Sequence, residues 1–440
     1  MFRNFGTRKP LGVSLEDDTP EVPDESTGPV EPGVDQLEQD LLEGSEELGE
    51  GIDNDAQVDE AVEASSEIED AVEVAEASED KGGLDVPAAE SLRILVNSAC
   101  RRAGISPSGS MPAMESFGQT GRRLSNTRIA VEDWKDKIKE VWVKIVAALK
   151  RAYEWFIGYV NKVFGGAEKL KKRAEALQKK ASDLKGRPEG ELKNSTLAKA
   201  LALGGKFSGA GSVITGLPVL NQAVSTLNTE ADTMVKNGDT LAVVAGDAQK
   251  LKGYNYEGKV ITGSAGDAYG SAKEGWGFKA GGELLGGMTL LEYGPSTKPA
   301  PGVAALAAMA RATLTIAPFG GKLKEVSGED LSIASPSEIE DIAKSAAKVA
   351  DDAISFRAAS KKLGDTLKKV VDAASKASAS AEKSDEDADK ANRELFKACK
   401  EAYASQTKHM ASDPAKIVTY VVRAASSAVQ YGEASAAKYK

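Results

Sequence analysis

The feature that most constrains this chain is a reversal of charge about a quarter of the way along it. Residues 1–115 carry 7 Lys and Arg against 29 Asp and Glu, a net of −22, whereas residues 116–440 carry 49 against 38, a net of +11. Aromatic residues divide at the same place, since after Phe2 and Phe5 the next one is Phe117. Low apolar content with high net charge leaves a segment too little surface to bury against chain entropy, so the first 115 residues read as a disordered acidic leader. The remainder reads as a folded, basic body.

The body is expected to be mainly α-helical, with long C-terminal helices and a small inserted antiparallel β element. In residues 129–166 the apolar positions Trp134, Ile138, Val141, Ile145, Leu149, Ala152, Phe156, Val160 and Val163 recur every three or four residues. That spacing makes one face of a helix. Gly165-Gly166 is expected to end it, and residues 167–186 to form a second helix, so that residues 116–203 make an antiparallel helical hairpin. Between Gly204 and Gly328 lie 23 of the 43 glycines, and the helical period fades after an expected helix at about Pro218–Lys236. The pieces "DTLAVVAG", "YNYEGKVITG", "WGFKAGG", "ELLGGMTLLEYG" and "ATLTIAPF" read as short strands, separated by Asn237-Gly238, Glu257-Gly258 and paired glycines suited to turns. Residues 204–334 are therefore expected to be a Gly-rich mixed α/β insertion. From Ser335, the capping box Ser335-Pro336-Ser337-Glu338 starts residues 335–440 as a helical segment. Further helices carry Leu395, Phe396, Cys399 and Tyr403, and then the stretch after Asp413-Pro414.

Chemistry-bearing patterns are sparse. The single His409 would have to supply any Ser-His-Asp or Cys-His site alone, and it reads as a surface histidine near a helix end. Asp385, Asp387 and Asp389 alternate as in a calcium loop but lack the glycine and the closing Glu that sharp turning and bidentate ligation require. "GGKFSGAGS" and "FGGKLKEVS" lack the remaining residues of a phosphate loop and read as turns. Cys100 and Cys399 form neither a disulfide framework nor a metal pattern. No cofactor, metal or enzymatic activity is expected. The aromatic, Lys-rich helix bearing Trp134, Trp142, Tyr153, Trp155, Phe156 and Tyr159 admits a membrane-interface reading, but those residues are expected to form core.

The seam itself, "GISPSGSMPAMESFG", joins an exposed Ser/Gly/Pro-rich stretch to Ala113-Met114-Glu115 followed by Ser116. With the acidic leader and the helix "EDWKDKIKEVWVKIVAALKRAYEWFIGYVNKVF", it resembles the internal head proteins of giant phiKZ-like tailed phages over roughly the first 190 residues. The resemblance implies a non-enzymatic protein of the capsid interior, made in the host cytoplasm and packaged through an acidic propeptide. It implies cleavage by a prohead protease after small-x-Glu, which places the cut after Glu115. Ala88-Ala89-Glu90 before Ser91 is a second candidate, and Ala61-Val62-Glu63, Ala71-Val72-Glu73 and Ala130-Val131-Glu132 share the pattern. A plain linker at the seam is the alternative. The implied partners are the protease, other capsid core proteins and, non-specifically, packaged DNA, with no membrane; later ejection is left open. The rival functions are a membrane-active cationic effector and a scaffold that leaves the head.

Overall fold

The computed structural model describes residues 34–107, 109, 111–244, 247–262, 267–270, 272–326, 330–381 and 390–439. In chain order it forms α1 (Val34–Ser78), α2 (Val86–Arg102), α3 (Arg123–Asp183), β1 (Leu192–Lys193), α4 (Ser195–Leu201), α5 (Ala210–Val244) and α6 (Ala248–Lys252). There follow β2 (Trp276–Leu284), β3 (Met288–Pro295), α7 (Val303–Arg311), β4 (Thr313–Pro318), β5 (Asp330–Leu331), α8 (Pro336–Ala381), α9 (Lys390–Met410) and α10 (Ser412–Ala436).

Long helices make the frame. α3 packs along α8, α8 along α5, and α10 against all three. The core face of α3 carries Trp134, Val141, Ile145, Leu149, Phe156 and Leu170, all buried. Opposite them, α8 presents Ile339, Ile342, Ala346, Val349, Ala353 and Phe356. Alternation of bulky and small residues lets helix surfaces interlock closely, as ridges into grooves. The start of α8 is fixed as its sequence implies: Ser335 N–H donates to Glu338 Oε2 at 2.8 Å, and Glu338 N–H donates to Ser335 Oγ at 3.4 Å.

The inserted antiparallel element is a three-stranded sheet in the order β2-β3-β4, with α7 between its last two strands. "WGFKAGG", "ELLGGMTLLEYG" and "ATLTIAPF" supply it, and Gly286 and Gly287, both at positive φ, turn β2 into β3. The register slips between Ala280 and Glu283, a bulge at the Gly281-Gly282 pair. Tyr420 of α10 donates its hydroxyl to the Leu285 carbonyl and ties the hairpin to the helices. A second, two-stranded pair joins β1 to β5.

Four expectations are corrected. The acidic leader is not disordered throughout: α1 and α2 are helices packed on the body, with Val58, Ala61, Ala64, Ile68, Ala71, Val72 and Ala75 of α1 buried. The expectation for residues 1–33 lies outside the described residues, as does that for Asp385, Asp387 and Asp389. Second, there is no hairpin in residues 116–203, because α3 runs straight through Gly165-Gly166. Buried Phe164 and Ala167 anchor the helix on both sides of the pair, and that tertiary anchoring outweighs the roughly 1 kcal/mol each glycine costs a helix interior. Third, most of "DTLAVVAG" is the end of α5, which also absorbs Asn237-Gly238 instead of turning there. Fourth, residues 254–262 of "YNYEGKVITG" are irregular chain, joined to the sheet edge by Ile261 N–H donating to the Pro295 carbonyl at 2.8 Å.

Candidate functional site: the junction and the helix it tethers

The junction residues form a short 3-10 turn, Met114–Gly118, between α2 and α3. Buried Phe117 pins it to the core. Ser116 donates both its amide (2.9 Å) and its hydroxyl (2.6 Å) to the Ala113 carbonyl, while Asn126 Nδ2 holds the Ser116 carbonyl at 3.0 Å and Arg123 Nε the Phe117 carbonyl at 3.2 Å. Ala113 and Glu115 are nevertheless exposed, and Met114 is half-buried. The four Ala-x-Glu tripeptides named with it above sit differently. Those at Glu63 and Glu73 lie in α1, that at Glu90 in α2 and that at Glu132 in α3. In the first two and the last, the leading alanine (Ala61, Ala71, Ala130) is buried, and in Ala88-Ala89-Glu90-Ser91 the middle Ala89 is fully buried. The Ala88 amide there is also capped by Asp85 Oδ1 at 2.9 Å.

Upstream of this turn, α1 lies in a groove between α3 on one side and α9 and α10 on the other. Its inward face is mostly alanine, and its flanks are carboxylates. On the α9–α10 rim, Asp70 Oδ1 meets Lys397 Nζ at 2.8 Å, Glu69 pairs with Lys400, Asp59 Oδ2 meets Lys408 Nζ at 3.2 Å and Asp55 Oδ2 lies 3.8 Å from Lys416 Nζ. On the α3 rim, Glu79 meets Arg128 at 3.0 Å and Glu76 meets Lys135 at 3.1 Å. α1 numbering falls as α9 and α3 numbering rises, so the helix runs antiparallel to both rims. Residues of α2 add a brace, with Arg102 pairing with Glu67.

Asp55 is the costly member of this set. It is 6% exposed, accepts a hydrogen bond from Ser412 Oγ at 2.9 Å, and faces Lys408, Lys416, Asp413 and, beyond Asp413, His409. Burial pushes its carboxyl up to about 6, against the opposing pull of Ser412 and the two lysines. A carboxyl whose folded value is raised binds more protons folded than unfolded, so its contribution to stability is fullest below about 4 and lost as pH rises through about 6. Asp55→Asn keeps the acceptor for Ser412 and removes the buried charge. It is expected to stabilise the chain at pH 7.5 by up to about 3 kcal/mol and to be near-neutral at pH 4. Thermal unfolding at both values checks this, and a lower midpoint than wild type at pH 7.5 contradicts it.

His409 is not on the surface as expected; it is 8% exposed. It bridges Asp413, with Nδ1 2.8 Å from Oδ2, and Ser405, with Nε2 3.1 Å from Oγ. These residues stand at i, i+4 and i+8 across the α9–α10 junction, a spacing that puts all three on one helical face. Ser405 Oγ also donates to the Ala310 carbonyl, and Thr313 Oγ1 donates to Asp413 Oδ2 at 3.3 Å. The chain of bonds thus ties α9 and α10 to α7 and β4. His409 also faces a cavity of about 60 Å³ lined by Glu230, Asn237, Tyr256, Lys259 and Tyr293, in which Glu230 pairs with Lys259. Ser405 does not line that cavity.

The helix aromatics are core as expected. Trp134, Trp142, Phe156 and Tyr159 are buried, Trp142 lies 6.4 Å from Tyr403 between ring centres, and Trp155 stacks on Tyr159 at 5.0 Å. Among the described residues no helix is long and apolar enough to cross a membrane, and no group of three or more His, Cys, Asp and Glu is placed to hold a metal.

The fold is thus a frame of long helices with a carboxylate-rich helix strapped to it. Its family is shown by comparison: residues 35–434 match the model of the phiKZ-like phage internal head proteins, and the chain belongs to that family. Its place is the interior of the virion head. The match extends past the first 190 residues through the glycine-rich middle. No curated protein and no solved structure matches the chain.

Proposed function

We propose that this internal head protein enters the prohead with its acidic leader attached, is cut after Glu115 by the phage prohead protease, and remains in the capsid as a basic body beside other core proteins and packaged DNA. The role is structural and not catalytic. The observation that carries the reading is the placement of Ala113-Met114-Glu115: its small residue and its carboxylate are exposed outside any α-helix, where the charge of the chain reverses. A protease binds extended chain, and one 3-10 turn is far less to open than the interior of α1, α2 or α3. The Ser405–His409–Asp413 chain fits a structural tie, because the serine hydroxyl is spent on the Ala310 carbonyl. Burial of the α3 aromatics argues against the membrane-active rival.

Mass spectrometry of protein from mature particles tests the proposal. The expected N-terminus is Ser116. A start at Ser91 would move the cut to the second candidate, a start at Met1 would remove the propeptide, and absence from the particle would favour the departing scaffold.

A further inference from the structure

The six rim cations are occupied by leader carboxylates, and they are arranged rather than scattered. Lys397 and Lys408 stand 11 residues apart on α9, as do their partners Asp70 and Asp59 on α1, so the two helices match over about 16 Å. Lys400 lies within that span, Lys416 extends it along α10, and beyond Asp70 Lys135 and Arg128 of α3 continue it by pairing with Glu76 and Glu79. The side chains of the four lysines on α9 and α10 are between 18% and 34% exposed with α1 in place. What covers them is strongly acidic: α1 holds 17 Asp and Glu and no Lys or Arg. A rod of negative charge matched by a row of cations along its length has the electrostatic form of a nucleic-acid strand.

We propose that the groove under α1 is a binding surface for the phosphate backbone of duplex DNA, kept shut by α1 until the chain is cut. The proposal rests on processing at the seam. Its physical basis is competition. While the leader is tethered, its carboxylates meet the groove at an effective concentration on the order of millimolar or higher. Cutting breaks none of the contacts, but it makes the leader a separate molecule at its own dilute concentration. The pairs of Asp59, Asp70, Glu76 and Glu79 are partly exposed, hence individually weak and screened by salt, while burial disfavours the charge of Asp55. A duplex offers one charge per about 1.7 Å of its length and releases condensed counterions when lysines replace them, which a 17-carboxylate helix cannot match. The cut therefore changes the occupant of the groove from an internal acid to packaged DNA.

The test uses the full chain with a recognition sequence for a site-specific protease inserted in residues 106–113, so that the cut does not depend on the phage enzyme. The probe is a labelled 20-base-pair duplex at low salt. Cut protein is expected to bind at least tenfold more tightly than uncut protein and to release the leader as DNA is added. Lys397→Gln, Lys400→Gln, Lys408→Gln and Lys416→Gln together should abolish that gain and reduce the slope of log affinity against log salt by about 3 to 4. The same charge change at Lys172, Lys179, Lys180 and Lys185, exposed at the far end of α3, should leave most of the gain. In uncut chain, Asp59→Asn, Glu69→Gln, Asp70→Asn and Glu76→Gln together should raise DNA affinity without any cleavage, which keeps the test valid if the cut protein aggregates. Equal binding before and after cutting, equal loss from the two lysine sets, or tighter capture by anionic phosphatidylserine vesicles than by duplex would overturn the proposal. A phage protease that cuts elsewhere would overturn only the cleavage site.

Discussion

Glu115→Gln leaves the leader on the chain in otherwise normal particles. A protease that selects Glu must meet its carboxylate with cationic or N–H donors, and a charge-assisted hydrogen bond is worth about 1.5–3 kcal/mol. Losing it in the transition state slows cutting by about 10- to 100-fold. Glu115 is exposed, so the amide leaves the junction's packing intact and the effect is on recognition alone. Ala113→Trp overfills the pocket for the small residue and gives the same phenotype, while Met114→Leu is cut normally. Asn126→Ala acts in the opposite direction. It frees the Ser116 carbonyl, which Asn126 Nδ2 holds at 3.0 Å, and one hydrogen bond of about 1 kcal/mol makes the turn about fivefold easier to open. The time course of cleavage with co-expressed prohead protease, followed by mass, measures all four. Cutting of Glu115→Gln at the wild-type rate at the same bond would sink the assignment.

Three independent signals coincide at residues 113–117, namely charge, aromatic onset and the tripeptide, and the chain there is a short 3-10 turn between α2 and α3. The helices of the body were legible where large apolar residues mark one face, as along Trp134–Val163, and the sheet segments were legible too, although the β2-β3 turn falls at Gly286-Gly287 inside the single piece "ELLGGMTLLEYG" and Gly281-Gly282 is a bulge. α1 was not legible. Its buried face is Ala61, Ala64, Ile68, Ala71, Val72 and Ala75, which has helical spacing but so little apolar area that composition reads it as solvated chain. What composition scores as self-repulsion is also matched by Lys397, Lys400, Lys408, Lys416, Lys135 and Arg128, residues more than 45 positions away in sequence. Complementarity between distant segments is invisible to any local window. The surface assignment of His409 failed for the same reason, since Ala310 and Thr313, which bury its network, come from the glycine-rich middle.

Glycines were misread as punctuation, and two of them separate the cases sharply. At Gly165, in α3, a Cβ would meet nothing within 4 Å, so Gly165→Ala should only remove backbone freedom from the unfolded chain and stabilise by up to about 1 kcal/mol. At Gly238, in α5, a Cβ would lie 2.2 Å from Met410 Cε, 2.7 Å from Thr366 Cγ2 and 3.3 Å from Val370 Cγ2. Met410 is the end of a flexible chain and can retreat, but Thr366 and Val370 are buried on α8 and move only with the helix. Gly238→Val adds a β-branched side chain that is stiff at χ1 and cannot turn away from α8. The expected loss is about 3 kcal/mol or more, by overpacking at a helix crossing. The damage should not stay local, because Met410 ends α9, whose Lys397, Lys400 and Lys408 hold the leader. Gly238→Val is therefore expected to lower the midpoint of thermal unfolding and also to make α1 accessible to protease below that midpoint, while Gly165→Ala raises the midpoint and leaves α1 protected. Equal effects from the two substitutions would mean that α5, α8 and α9 do not meet at Gly238 as closely as these distances require.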